Sequence, residues 1–137
     1  MAKFVTTDYA VTIDTEDFSS SINSVTLDIS VEEQETTAFG NTSRTRIGGL
    51  KDGSVSLDFH QDFGADSVDA TLFPLLGNTV TITLKPTSAA TSATNPEYTF
   101  DCLVTQYQPF ANAVGELATL SVSWPITGDV VRGDGSV

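Results

Sequence analysis

The chain reads as mainly β: a two-sheet β-sandwich with one flanking α-helix. Three observations predict it. Six segments alternate apolar and polar residues with period two, which sets one strand face on a core and the other against something polar. A single stretch between the third and fourth of these shows helical spacing instead. The 137 residues, 39% hydrophobic and 9% aromatic, suffice for one sizeable core and are short for two, so residues 1–137 are read as one domain.

The first strand is "YAVTID", with Tyr9, Val11 and Ile13 on its apolar side. "SVTLDISV" follows, setting Val25, Leu27, Ile29 and Val31 against Ser24, Thr26, Asp28 and Ser30. "SVSLDFH" sets Val55, Leu57 and Phe59 against Ser54, Ser56, Asp58 and His60. In "DSVDATLFPLLGN", Val68, Leu72 and Leu75 fall at helical spacing, and Asp66 is the expected N-cap. Pro74 makes the last turn irregular, and Gly77 with Asn78 ends it. Three more strands complete the set: "TVTITLK" (Val80, Ile82, Leu84), "EYTFDCLV" (Tyr98, Phe100, Cys102, Val104) and "LATLSVSW" (Leu120, Val122, Trp124). Six strands and a helix make a two-layer fold.

The connections carry their own expectations. Residues 32–53 are read as a long loop, in which Arg44, Arg46 and Lys51 follow Glu32, Glu33 and Glu35. Loops of that length are uncommon in compact domains and usually functional. Residues 86–96, "PTSAATSATNP", are expected to be a flexible loop, and residues 129–137 a loose C-terminal tail.

Charge excludes several functions. Eighteen acids against six bases give a net charge of −12, which repels nucleic acid and anionic lipid. The longest apolar run is too short to span a membrane, and the start "MAKFVTTDYAV" has no secretory h-region.

Enzyme chemistry finds no foothold. His60 sits among Asp58, Asp62, Asp66 and Asp69, but it is the one histidine of the chain, and a zinc site needs three or four converging ligands. The aspartates also miss the every-second-residue spacing of a calcium loop. Cys102, the one cysteine, falls on an apolar strand face without a histidine at a signature spacing, so it reads as a buried, inert thiol. No phosphate-binding loop, nucleophile elbow or HExxH pattern occurs. The expectation is a non-enzyme without cofactor or metal, in which "DFHQDFGADSVDATLFPLLGN" is a polar strand end feeding a helix.

The polar faces instead suggest assembly. They consist of Ser, Thr and Asp with scarcely any Lys, the residue most used to block edge-to-edge pairing. A basic stretch on an acidic body is self-complementary, and such heterologous contacts propagate into rings or filaments.

The run "DFHQDFGADSVDATLFPLLGNTVTITLKPTSAATSATNPEYTF", with the later "AVGELATLSVSWPI", resembles the major tail (tail tube) proteins of long-tailed actinobacterial phages. The resemblance extends from about Tyr9 to Gly128. It implies hexameric rings stacked into a tube, with inner sheets joined in a continuous β-barrel through which double-stranded DNA passes during ejection. It also implies a virion location, assembly in the host cytoplasm, and tail partners (tape measure, tail terminator and distal tail proteins), with no membrane. Residues 32–53 match the family's inter-subunit loop, so Arg44, Arg46, Lys51, Glu32, Glu33 and Glu35 are the expected contacts between copies. Asp28, Asp58, His60, Ser56 and Thr26 are the expected lumen lining. A capsid decoration or head–tail connector protein of a phage is the alternative.

Overall fold

A computed structural model describes residues 5–65 and 67–134. In chain order the elements are β1 (Ala10–Ile13), β2 (Glu16–Asp17), a 3-10 turn (Ser19–Ser21), β3 (Ile22–Glu35), β4 (Arg46–His60), α1 (Val68–Leu75), β5 (Thr79–Lys85), β6 (Glu97–Leu103), β7 (Thr119–Pro125) and β8 (Val131–Gly133). They form a five-stranded sheet, ordered β2-β1-β5-β6-β8, and a three-stranded sheet, β3-β4-β7. Every ladder is antiparallel.

The period-two pattern works as the sequence predicts where two sheets meet. Val55, Leu57 and Phe59 of β4 and Leu120, Val122 and Trp124 of β7 are buried against Val11, Ile13, Val80, Ile82, Phe100 and Cys102 of the other sheet. Phe18 closes one end, edge-on to Phe59 with ring centroids 6.0 Å apart. Trp124 is fully buried, and its indole Nε1 donates to the Gln106 carbonyl at 2.9 Å, so the ring's polar atom is satisfied inside the core.

Helix α1 is shorter than the stretch "DSVDATLFPLLGN" suggests. Ser67 occupies the N-cap position, and Asp66 lies outside the described residues. Val68 and Leu72 are buried, and Pro74 stands in the last turn, where the helix stops at Leu76. Gly77 follows at φ +87°, a conformation that favours glycine.

Three sequence expectations need correction. The stretch 32–53 is mostly strand: β3 runs to Glu35 and β4 begins at Arg46, leaving residues 36–45 as the connection. Its strand character was hidden because most of this part is exposed on both sides, so no apolar alternation marks it; Ile29 and Val31, expected in the core, are 47% and 52% exposed. The 86–96 connection is hydrogen-bonded through one side chain. Asn95, only 7% exposed, accepts from the Thr87 N–H and donates Nδ2 to the carbonyls of Ala89 (2.9 Å), Ala90 (3.2 Å) and Thr87 (3.4 Å). One amide thus satisfies a turn's worth of backbone groups that would otherwise need water. The C-terminal stretch supplies β8, which pairs with Glu97, Tyr98 and Thr99 of β6. Finally, Tyr9 precedes β1 and is 41% exposed.

Candidate assembly surfaces

The outward face of the three-stranded sheet is built by register. Asp28 faces Ser54, and Ser54 faces Pro125; the next row is Thr26, Ser56 and Ser123; then come Ser24, Asp58 and Ser121; and His60 faces Thr119. Alternation places all of these opposite to Val55, Leu57 and Phe59. The structure therefore brings Thr26, Asp28, Ser56, Asp58 and His60 onto one face, as the period-two reading expects. Ser121 donates its hydroxyl to Asp58 Oδ1 at 2.6 Å, and Ser56 and Ser123 are linked at 3.4 Å. His60 is half-buried, with Nδ1 enclosed and without a hydrogen-bond partner. The rows contain hydroxyls, carboxylates, one imidazole and one proline, but no lysine or arginine.

This sheet has two edges. β4 lies between β3 and β7, so among the described residues each outer strand has a neighbour on one side only. Neither edge strand carries a Lys or Arg among the residues Ile22–Glu35 and Thr119–Pro125.

Beyond its third strand the sheet continues as an arm. β7 ends at Pro125, opposite Ser54, whereas the β3–β4 ladder runs on from Ile29↔Gly53 to Glu35↔Arg46. At the root, a Cβ on Gly53 would meet the Asp28 carbonyl oxygen at 2.8 Å, so glycine is required by close backbone approach. Strand rise gives the arm a reach of about 20 Å from Ile29 to Glu35. Its register shifts once, between Val31 and Glu33.

The arm gathers the six residues expected to contact a neighbouring copy, but it pairs four of them within the chain. Arg44 Nη1 lies 2.6 Å from Glu35 Oε1, and Arg46 Nε lies 2.7 Å from Glu33 Oε1. Glu32 Oε1 accepts from Gln34 Nε2 at 2.6 Å, and Lys51 stands opposite Val31. Thr36 and Thr45 are joined by a backbone bond of 2.7 Å and a hydroxyl contact of 2.8 Å, which carries the ladder one step past Glu35.

Among the described residues no group of three or more His, Cys, Asp or Glu side chains could hold a metal ion, and no helix is long and apolar enough to cross a membrane. Cys102 is buried, and desolvation pushes its thiol up to about 12, so it carries almost no thiolate at neutral pH. Tyr107 is also raised to about 12, first by desolvation and then by donating to Asp69 Oδ1 at 2.7 Å. It also accepts from Gln61 Nε2 at 3.1 Å, tying the end of β4 to α1. Sequence reasoning missed this junction, because no local pattern links Gln61, Asp69 and Tyr107.

No protein-family model matches the chain, and no curated protein matches it. A solved structure does. The chain is similar to one in the structure described as the virion of a native gene transfer agent particle, with a TM-score of 0.72 and 11% sequence identity. The alignment covers 91% of this chain and 95% of that one. At that identity the likeness is one of fold, and it extends over nearly the whole of both chains.

Proposed function

We propose that this chain is a structural virion protein of a phage or phage-like particle, and within that class a tail tube subunit. The observation that carries the reading is the fold likeness to a virion chain across 91% of this sequence and 95% of the other. The resemblance of residues 58–100 to tail tube proteins points the same way.

In this reading six copies close into a ring. β3 of each copy pairs with β7 of the next, which removes both exposed edges, as barrel closure does. The Ser, Thr and Asp face then lines a bore, with Asp28, Asp58, Thr26, Ser56 and His60 toward the axis. A conduit for DNA must touch a polyanion without holding it. Each Lys or Arg on the wall would add a phosphate contact and release counterions, so a base-free wall is the suitable surface. Screening confines its repulsion to about 8 Å at physiological salt, so the wall prevents sticking and does not drive transport. The arms carry contacts between copies, and tape measure, terminator and distal tail proteins complete the particle in the host cytoplasm.

Sedimentation and negative-stain microscopy of the purified protein test the assignment. Rings or tubes are the expected outcome, formed by the chain alone or on addition of tail partners. A chain that remains monomeric at high concentration, and that instead binds preformed capsids, would replace this reading with a capsid decoration protein.

A further inference from the structure

The tip of the arm presents an aromatic ring to solvent from a well-fixed support. Phe39 is fully exposed. It is not on a slack loop: the Ala38 N–H donates to Asn41 Oδ1 at 2.7 Å, and the Asn41 N–H donates back to the Ala38 carbonyl at 3.1 Å. Gly40, at φ +94°, completes this tight turn directly after the ring. A single exposed apolar side chain is ordinary on a protein surface. One held at the end of a hydrogen-bonded ribbon is already ordered, so docking it costs little further entropy.

On the body lies a slot of matching size. Between the two sheets, where β3 passes over β1, β5 and β6, an apolar slot of about 200 Å³ is lined by Tyr9, Val11, Val25, Leu27, Leu84 and Tyr98. A dry apolar cavity of roughly 150 Å³ is enough to take a benzene ring. The arm of the same chain leads its tip about 20 Å away from the sandwich, so its own Phe39 is carried off from this slot.

Charge favours the same pairing. Residues 36–46 contain Arg44 and Arg46 and no acid. Each guanidinium has five donors and spends one on its own arm's glutamate. Beside the slot, Asp8 precedes Tyr9 and accepts from the Ser88 N–H and hydroxyl. The one slot-lining cation, Lys85, is turned to the Ala89 carbonyl at 3.1 Å.

We infer that Phe39 of one copy is the anchor for a second copy, seated in the Tyr9, Val25, Leu84 and Tyr98 slot with Arg44 and Arg46 toward Asp8. The inference rests on the self-assembly reading above and adds a contact between copies to the β3–β7 pairing.

Two measurements test it on the full chain. Phe39→Ala changes an exposed side chain and leaves the fold intact; it should weaken self-association about 10- to 100-fold in sedimentation, the cost of one lost aromatic anchor. Phe39→Trp should retain association. Replacing Phe39 with the photo-crosslinker benzoylphenylalanine should give links between copies that map to peptides containing Tyr9, Val25, Leu84 or Tyr98. Assembly of Phe39→Ala at the parent concentration, or crosslinks confined to other surfaces, would overturn the inference and leave the self-assembly reading standing. A parent chain that never associates would remove both.

Discussion

Ser121 on β7 donates its hydroxyl to Asp58 on β4 at 2.6 Å, so the carboxylate in the middle of the polar face is held by a neutral partner. No cation of its own rows compensates it. If this face lines a bore, replacing Asp28 and Asp58 together with Lys leaves assembly intact, because both lie opposite to the core. It should slow DNA ejection, since each ring gains phosphate contacts, and the penalty should shrink as salt rises. Ejection rates at two ionic strengths check this; unchanged rates at low salt would refute the lining.

The ion pairs of the arm give a second prediction. Arg44 and Arg46 are exposed, so their bonds to Glu35 and Glu33 are worth only about 0.2–1 kcal/mol each. Reversal of both to Glu should shift the urea midpoint of the isolated chain slightly. Assembly should fail altogether, because every copy would present acid where it now presents base. Normal tubes from the double variant would show that the arm's charge has no role between copies.

Asn95 supports a third. Its amide donates to three carbonyls from a nearly buried position. Asn95→Asp keeps the shape but turns an oxygen toward those carbonyls, at a cost of about 1–3 kcal/mol. Equilibrium urea unfolding measures it, and a loss well below that range would mean the 86–96 connection is held by something else.

Asp17 supplies a pH dependence. Its carboxyl is lowered from the usual 3.8, chiefly by the Ser19 hydroxyl and then by the Ser19 N–H. A carboxyl lowered in the folded state binds its proton more readily when unfolded. Its contribution is therefore complete above 3.8 and fades as pH falls through the lower folded value. Asp17→Asn should be less stable than the parent at neutral pH, with the difference narrowing in acid. Urea midpoints from about pH 2 to 6 check it, and a gap that widens in acid would contradict the assignment.

Strand identity was legible wherever one face meets a core. Val55, Leu57 and Phe59, or Leu120, Val122 and Trp124, alternate because burial acts on every second residue. The polar face was legible for the same reason, since Asp28 and Asp58 fall opposite those side chains. Where burial stops, the signal stops too. The arm from Ile29 to Glu35 and from Arg46 to Gly53 is a strand pair exposed on both faces, broken up by Gly48, Gly49 and Gly53, and it reads as a loop. β2 and β8 are too short to show a period, and pairing with a neighbour defines them. Asn95, Tyr107 and the slot beneath Val25 and Leu27 are products of tertiary placement, with no sequence-local mark.

The central claim is that copies of this chain join through the β3-β4-β7 sheet and turn its base-free face inward. A cryo-electron microscopy map of the assembled protein tests it most directly. The account predicts a hollow ring or tube in which β3 of one copy lies beside β7 of the next, with Asp28 and Asp58 facing the axis. A map with both carboxylates on the outer surface, or with β3 and β7 unpaired between copies, would contradict it.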